Sequence, residues 1–346
     1  MATAEQTSLF RRLLTWGMRI CCVLLAVWLL HHTVRSTEAD LFAAAAGASL
    51  PFLAGAVLLY GFCQFLGGLR WYLLLKSQGM AIPLWSAVRL TLTGNFFSLL
   101  IPGAVTGDVI KIACVTSFHP GCLPRLAAVN IIDRLVGLTG IFAAAATAAL
   151  CFWSSIRPFT EEHILKLALS AVAAGCLGAL AAYLVFISFP RWGRWRPVRR
   201  TLLFCRRHLP LGVRRILVKV WGAAECCRSR QSVLLQTLLI SVCIHLLIGV
   251  ELFAIGRALH ESAMGAGQYL VATQLSNASG LLAVTPGGIG LRDSVFALLF
   301  RLFGASPGDT AGTIPLLNSL IIVFWGVIGA LIHTFSPRLT KTRQQS

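Results

Sequence analysis

Apolar runs of about twenty residues recur along the whole chain, at about 13–32, 50–69, 127–152, 164–189, 231–255 and 312–335. A helix rises about 1.5 Å per residue, so each run can cross a hydrocarbon core of about 30 Å. Hydrocarbon offers no water to backbone amides and carbonyls, so a spanning segment must bond them internally, as a helix or a closed barrel. Barrel strands read as alternating segments of about ten residues, and these runs are longer and not alternating. The expected fold is therefore an all-α polytopic membrane protein, with about six full spans. The first run has a basic start in Arg11, Arg12 and Arg19, but it ends in His31, His32, Thr33 and Val34. No small-x-small cleavage pattern follows, so it reads as an uncleaved first helix.

Charge gives orientation. The chain carries a formal +18, and residues 190–230 hold 12 Lys and Arg against the single Glu225. Such a basic loop stays on the cytoplasmic side, which puts the N- and C-termini there too. The loops assigned outside are slightly acidic. The basic excess thus reads as an inner-leaflet belt for anionic lipid rather than a nucleic-acid surface. Eleven cysteines scatter through the spans or stand as vicinal pairs, without a C-x-x-C, which argues against a disulfide framework. Cys114, His119 and Cys122 lack a fourth ligand, so neither metal nor cofactor is expected.

This orientation makes the chain, 1–346, one integral membrane domain in two halves, about 1–155 and 160–346. The second half repeats the order of the first with its direction inverted. Pro102 and Pro286 lie 184 residues apart, close to the spacing of the helix centres on either side of them. Inverted-topology repeats with interrupted helices at matching positions are a signature of transport proteins.

The interruptions are IPGAVTGDVIK, 101–111, and TPGGIGLRDS, 285–294. Shorter apolar pieces at about 87–101, 268–284 and 293–303 flank them, giving two re-entrant broken-helix pairs. Pro102-Gly103 and Pro286-Gly287-Gly288 can each end a half-helix. The helix that restarts presents free amides with partial positive charge, a site suited to phosphate or carboxylate. Asp108 and Lys111 stand three apart, on one face if helical. Arg292 and Asp293 follow the second break. Asn130, Asp133 or Arg134, and Gly137 share a helix face that should point inward. Intramembrane charges either bind substrate or pair with one another; Asp133 with Arg292 and Asp108 with Arg134 are the pairings considered. Glu251 and His245 carry a weaker signal, since Glu251 can also lie near the outer interface.

These residues resemble the flippase-like family typified by the transmembrane region of bacterial lysylphosphatidylglycerol synthases. Asn95-Phe96-Phe97, Pro102-Gly103, Gly107-Asp108 and Lys111 match its first polar break. Asp133-Arg134-Leu135 with Gly137 matches its D-R-x-x-G. Pro286-Gly287-Gly288-Ile289-Gly290 with Arg292-Asp293 matches its second break, and Arg70-Trp71 the basic-aromatic end of its second span. Thr106, Lys111 and Asp293 stand where the family usually has Gly, Arg and Glu.

About eleven residues follow the last expected helix, so the resemblance concerns the membrane region and not a soluble aminoacyl-transfer domain. It implies a lipid flippase or transporter of the cell membrane (bacterial inner or plasma membrane), not an enzyme. An anionic lipid or lipid-linked precursor would have its headgroup bound by the residues above, including Gly103, Gly107, Asn130, Gly288 and Gly290. Its partners would be membrane lipids and a separately encoded lipid-modifying enzyme. With no G-x-x-x-x-G-K-[ST], nucleotide-driven transport is not expected. The competing readings are an intramembrane headgroup-modifying enzyme, using Asp108 and Asp133 as acid and base, and a scaffold subunit of a lipid-synthesis complex.

Overall fold

Proline and glycine set the helix ends. Pro51 and Pro124 lie in the first turns of α1 (Leu50–Ser77) and α4 (Leu123–Cys151), where a missing amide proton costs no intrahelical bond. Between them run α2 (Leu84–Leu100) and α3 (Thr106–Thr116). The short α5 (Trp153–Ile156) and a 3-10 turn lead to α6 (His163–Trp192). The rest is α7 (Gln231–Ala258), α8 (Ala266–Ser279), α9 (Leu291–Leu302) and α10 (Thr310–Phe335). The computed structural model describes residues 47–100, 106–117, 119, 121–192, 230–279, 291–304 and 310–335. The expected first span, the basic loop 190–230 beyond Trp192, and both Pro-Gly breaks lie outside the described residues.

The protein is an all-α membrane protein. Among the described residues four helices, α1, α4, α7 and α10, are long and apolar enough to cross a bilayer, and α6 carries a shorter apolar stretch, Leu165–Ala179. Side chains are distributed in the opposite sense to a water-soluble bundle. Leu58, Leu150, Leu167, Leu177, Leu239 and Phe335 face outward, while Asp108, Lys111, Asn130, Asp133, Glu251 and Gln274 are buried. Lipid is as apolar as leucine, so burying leucine drives nothing, whereas polar groups must find partners inside.

Helices α1 and α7 form the most extensive contact of the bundle. Around it the remaining contacts are exchanged: α4 packs on α8, and α10 packs on α2. In each half the short helices also stack in sequence, α1 on α2 on α3 and α7 on α8 on α9. Close approach depends on small residues. A Cβ at Gly329 of α10 would run into the Leu92 carbonyl of α2, and one at Gly140 of α4 into Ser241 of α7.

Gly329→Ala is therefore expected to lower the stability of the detergent-solubilised protein by about 1–3 kcal/mol. Gly55→Ala, with no atom within 4 Å of the added carbon, should be neutral. Thermal unfolding of both variants checks this; equal melting temperatures would mean that α2 and α10 part at no cost.

Candidate functional site

Arg70, one turn before the hydrophobic end of α1, is the most demanding group in the bundle. Its guanidinium bonds Asp133 of α4 twice, Nε to Oδ1 at 2.7 Å and Nη2 to Oδ2 at 3.2 Å, and Nη1 donates to Ser241 Oγ of α7 at 3.0 Å. The fork geometry of arginine makes this bidentate pairing possible. Gly137 lies beside the guanidinium: a Cβ there would be in ordinary contact with Nη1, at 3.6 Å. One turn earlier, Asn130 Oδ1 accepts from Trp71 Nε1 at 2.8 Å. Asn130, Asp133 and Gly137 do share the inward face.

A second cluster stands on α3. Asp108, in the first turn, is enclosed and ligated on both oxygens, by Lys111 Nζ at 2.8 Å and Arg134 Nε at 2.6 Å. A carboxylate at a helix N-terminus also gains from the helix dipole. Lys111 Nζ lies 5.0 Å from the Trp71 ring centroid, a cation–π distance. Arg134 is half exposed, its side chain 53% accessible against 7% for Asp108, so the cluster presents an unspent positive face. Gly107 allows α3 to reach α2: a Cβ on it would meet the Gly94 carbonyl, and its amide donates to Ser98 Oγ at 3.1 Å.

The third cluster belongs to the second half. Arg292 donates to its neighbour Asp293, Nη2 to Oδ1 at 2.9 Å, and to Ser319 Oγ of α10 at 3.2 Å. Ser319 in turn donates to Asp293 Oδ2 at 2.9 Å. Arg292 also lines a cavity of about 220 Å³, with Tyr60 and Gln64 of α1, Asn95 and Ser98 of α2, and Trp325 of α10. Asn95 donates from its amide to Gln64 Oε1. The cavity thus sets a cation from after the second break against polar side chains leading into the first.

Two of the expected pairings form, Asp108 with Lys111 and Asp108 with Arg134. The third does not: Asp133 meets Arg70, not Arg292, because the packing of α1 on α4 puts Arg70 one hydrogen bond away. Asp108, Lys111 and Arg134 stand together on α3 and α4, while Arg292 lies in the cavity, linked to them through Ser98 and Gly107. Pro102, Gly103, Pro286, Gly287, Gly288 and Gly290 lie outside the described residues. Tyr60, Gln64, Ser98, Ser241 and Ser319 were not expected; each is an uncharged polar residue in a largely apolar helix, and that was the available signal.

The family model for the lysylphosphatidylglycerol synthase transmembrane region matches residues 13–329. The chain belongs to that family. The match spans all three clusters and both breaks, and makes this a lipid-related protein of the membrane. No curated protein matches the chain significantly.

The letters G-x-S-x-G occur at Gly304-Ala305-Ser306-Pro307-Gly308. As a nucleophile motif they require a strand-to-helix turn, and residues 305–309 lie outside the described residues.

Breaking the central pair should cost far more than deleting it. Arg70→Met or Asp133→Leu alone is expected to lose about 3–5 kcal/mol by stranding a buried charge. The double variant should lose less than the sum. Denaturation in detergent or nanodiscs checks the cycle, and additive losses would show that the two groups act independently.

Proposed function

We propose that the protein moves an anionic lipid or lipid-linked precursor between leaflets, its headgroup lodging in the cavity at Arg292. The observation that carries this reading is the cavity itself, which sets Arg292 among neutral hydrogen-bonding side chains from the other half of the chain. Arginine matches the geometry of phosphate, and Asn95, Gln64, Ser98 and Tyr60 can complete the bonding of a headgroup. A volume of about 220 Å³ suits a headgroup rather than a whole lipid, whose tails would stay in the bilayer. The half-exposed Arg134 is a first contact for the same anion on its way in.

The exchanged packing of α4 on α8 and α10 on α2 supports two inverted repeats, which would let such a site open to either leaflet in turn. Membership of a family named for the membrane part of a lipid synthase favours a lipid cargo and a separately encoded lipid-modifying enzyme as partner. On this reading the protein is a transporter of the cell membrane, not an enzyme, with both termini cytoplasmic.

Leaflet exchange of labelled phosphatidylglycerol in vesicles holding the purified protein tests the proposal. Arg292→Ala should slow exchange by about 10-fold or more, the worth of one charge-assisted hydrogen bond in a dry site. Asp108→Asn, which loosens α3 and Arg134, should also slow it. Lipid recovered chemically altered would replace transport by headgroup chemistry; equal exchange in protein-free vesicles would remove transport altogether.

A further inference from the structure

Several buried polar atoms among the described residues have no hydrogen-bond partner, and Glu251 differs from the rest in being an acid with both oxygens in that state. It lies on α7 at 0% exposure, and neither carboxylate oxygen has a hydrogen-bond partner among the described residues. Its side chain is thus enclosed by the protein rather than exposed on the bundle surface. An ionised carboxylate without water or a partner is among the costliest groups to bury, and a proton removes most of that cost.

Its surroundings connect it to the cavity. The ionisable groups that act on Glu251 are Tyr60 and Cys63 of α1 and Arg292 of α9. The other helices packed on α7, which are α4, α8 and α10, bring none among the described residues. On its own helix, His245 and Arg257 stand six residues to either side. Tyr60 and Arg292 are both cavity walls, and Tyr60 bonds Gln64, the acceptor of the Asn95 amide. Glu251 thus interacts electrostatically with two residues of the wall at which an anion would be held.

We propose that Glu251 is a proton-binding site coupled to the cavity: it holds a proton while an anionic headgroup is bound and releases the anion when it loses that proton. The coupling rests on the transport reading above. Arg292 is already matched by Asp293, so an anion arriving beside an ionised Glu251 would bring a second negative charge to one cation in a poorly screened interior. With Glu251 protonated that repulsion is absent. Reciprocity then requires the bound anion to hold the proton more tightly. The proton comes from, and returns to, the aqueous phase; no bond other than the carboxyl O–H forms or breaks.

Infrared difference spectroscopy on the full chain in nanodiscs of zwitterionic lipid tests this. A protonated-carboxyl C=O band should be present at neutral pH in the wild type and missing in Glu251→Gln. Adding dihexanoyl phosphatidylglycerol should move the pH at which the band disappears upward by about 0.5 unit or more, and Arg292→Ala should diminish that move. A move with the short-chain lipid but not with inorganic phosphate assigns the coupling to a lipid headgroup. One produced by both assigns it to any phosphate-bearing anion, and either result supports the proposal. A band that is absent in the wild type, persists in Glu251→Gln, or stays put with both probes overturns it. Leaflet exchange is a separate readout: exchange that proceeds equally from acid to neutral pH would keep transport and remove the proton from it.

Discussion

A guanidinium cannot stay unpaired in hydrocarbon, and the helix arrangement follows from how Arg70 is satisfied. Its two bonds to Asp133 and one to Ser241 tie α1 to α4 and α7. Gly140 brings the α4 backbone against Ser241 so that the third bond can form. In water such a knot would contribute little. In a bilayer the alternative is a stranded charge, so the knot sets which helices are neighbours and at what register.

Once α1, α4 and α7 are held, the short helices can be carried at the depth where charge is useful. Helix α3 hangs on α2 through Gly94 and Gly107 and offers Asp108 to Lys111 and Arg134. Helix α9 holds Arg292 against Ser319 of α10 and the cavity. The clusters differ in kind. Around Arg70 and Asp133 the charges cancel and the groups are enclosed, which is an architectural role. Arg134 is half exposed, and Arg292, although paired with Asp293, lines the cavity, so both are placed to meet an anion.

Glu251 has a third character, a buried acid whose oxygens have no hydrogen-bond partner among the described residues. Its electrostatic interaction with Tyr60 and Arg292 ties it to the same polar wall as Gln64 and Asn95, so the cavity is linked to a titratable group as well as a permanent cation.

By itself, the sequence determined the membrane class, the positions of the long described helices and the inward face of α4. Those follow from run length, from proline and glycine, and from the three- and four-residue spacing of Asn130, Asp133 and Gly137, all local properties of the chain. The Asp108–Lys111 pair was legible for the same reason, being three residues apart on one helix. Only the tertiary structure decided which base meets Asp133, since Arg70 is 63 residues away and Arg292 was chemically as suitable. It also decided that Tyr60, Gln64 and Ser98 share a cavity with Arg292, and that Glu251 is enclosed. Pairing between distant charges depends on helix register and crossing, set by the sum of many close contacts along α1, α2, α7 and α10, and no single residue spells that sum out.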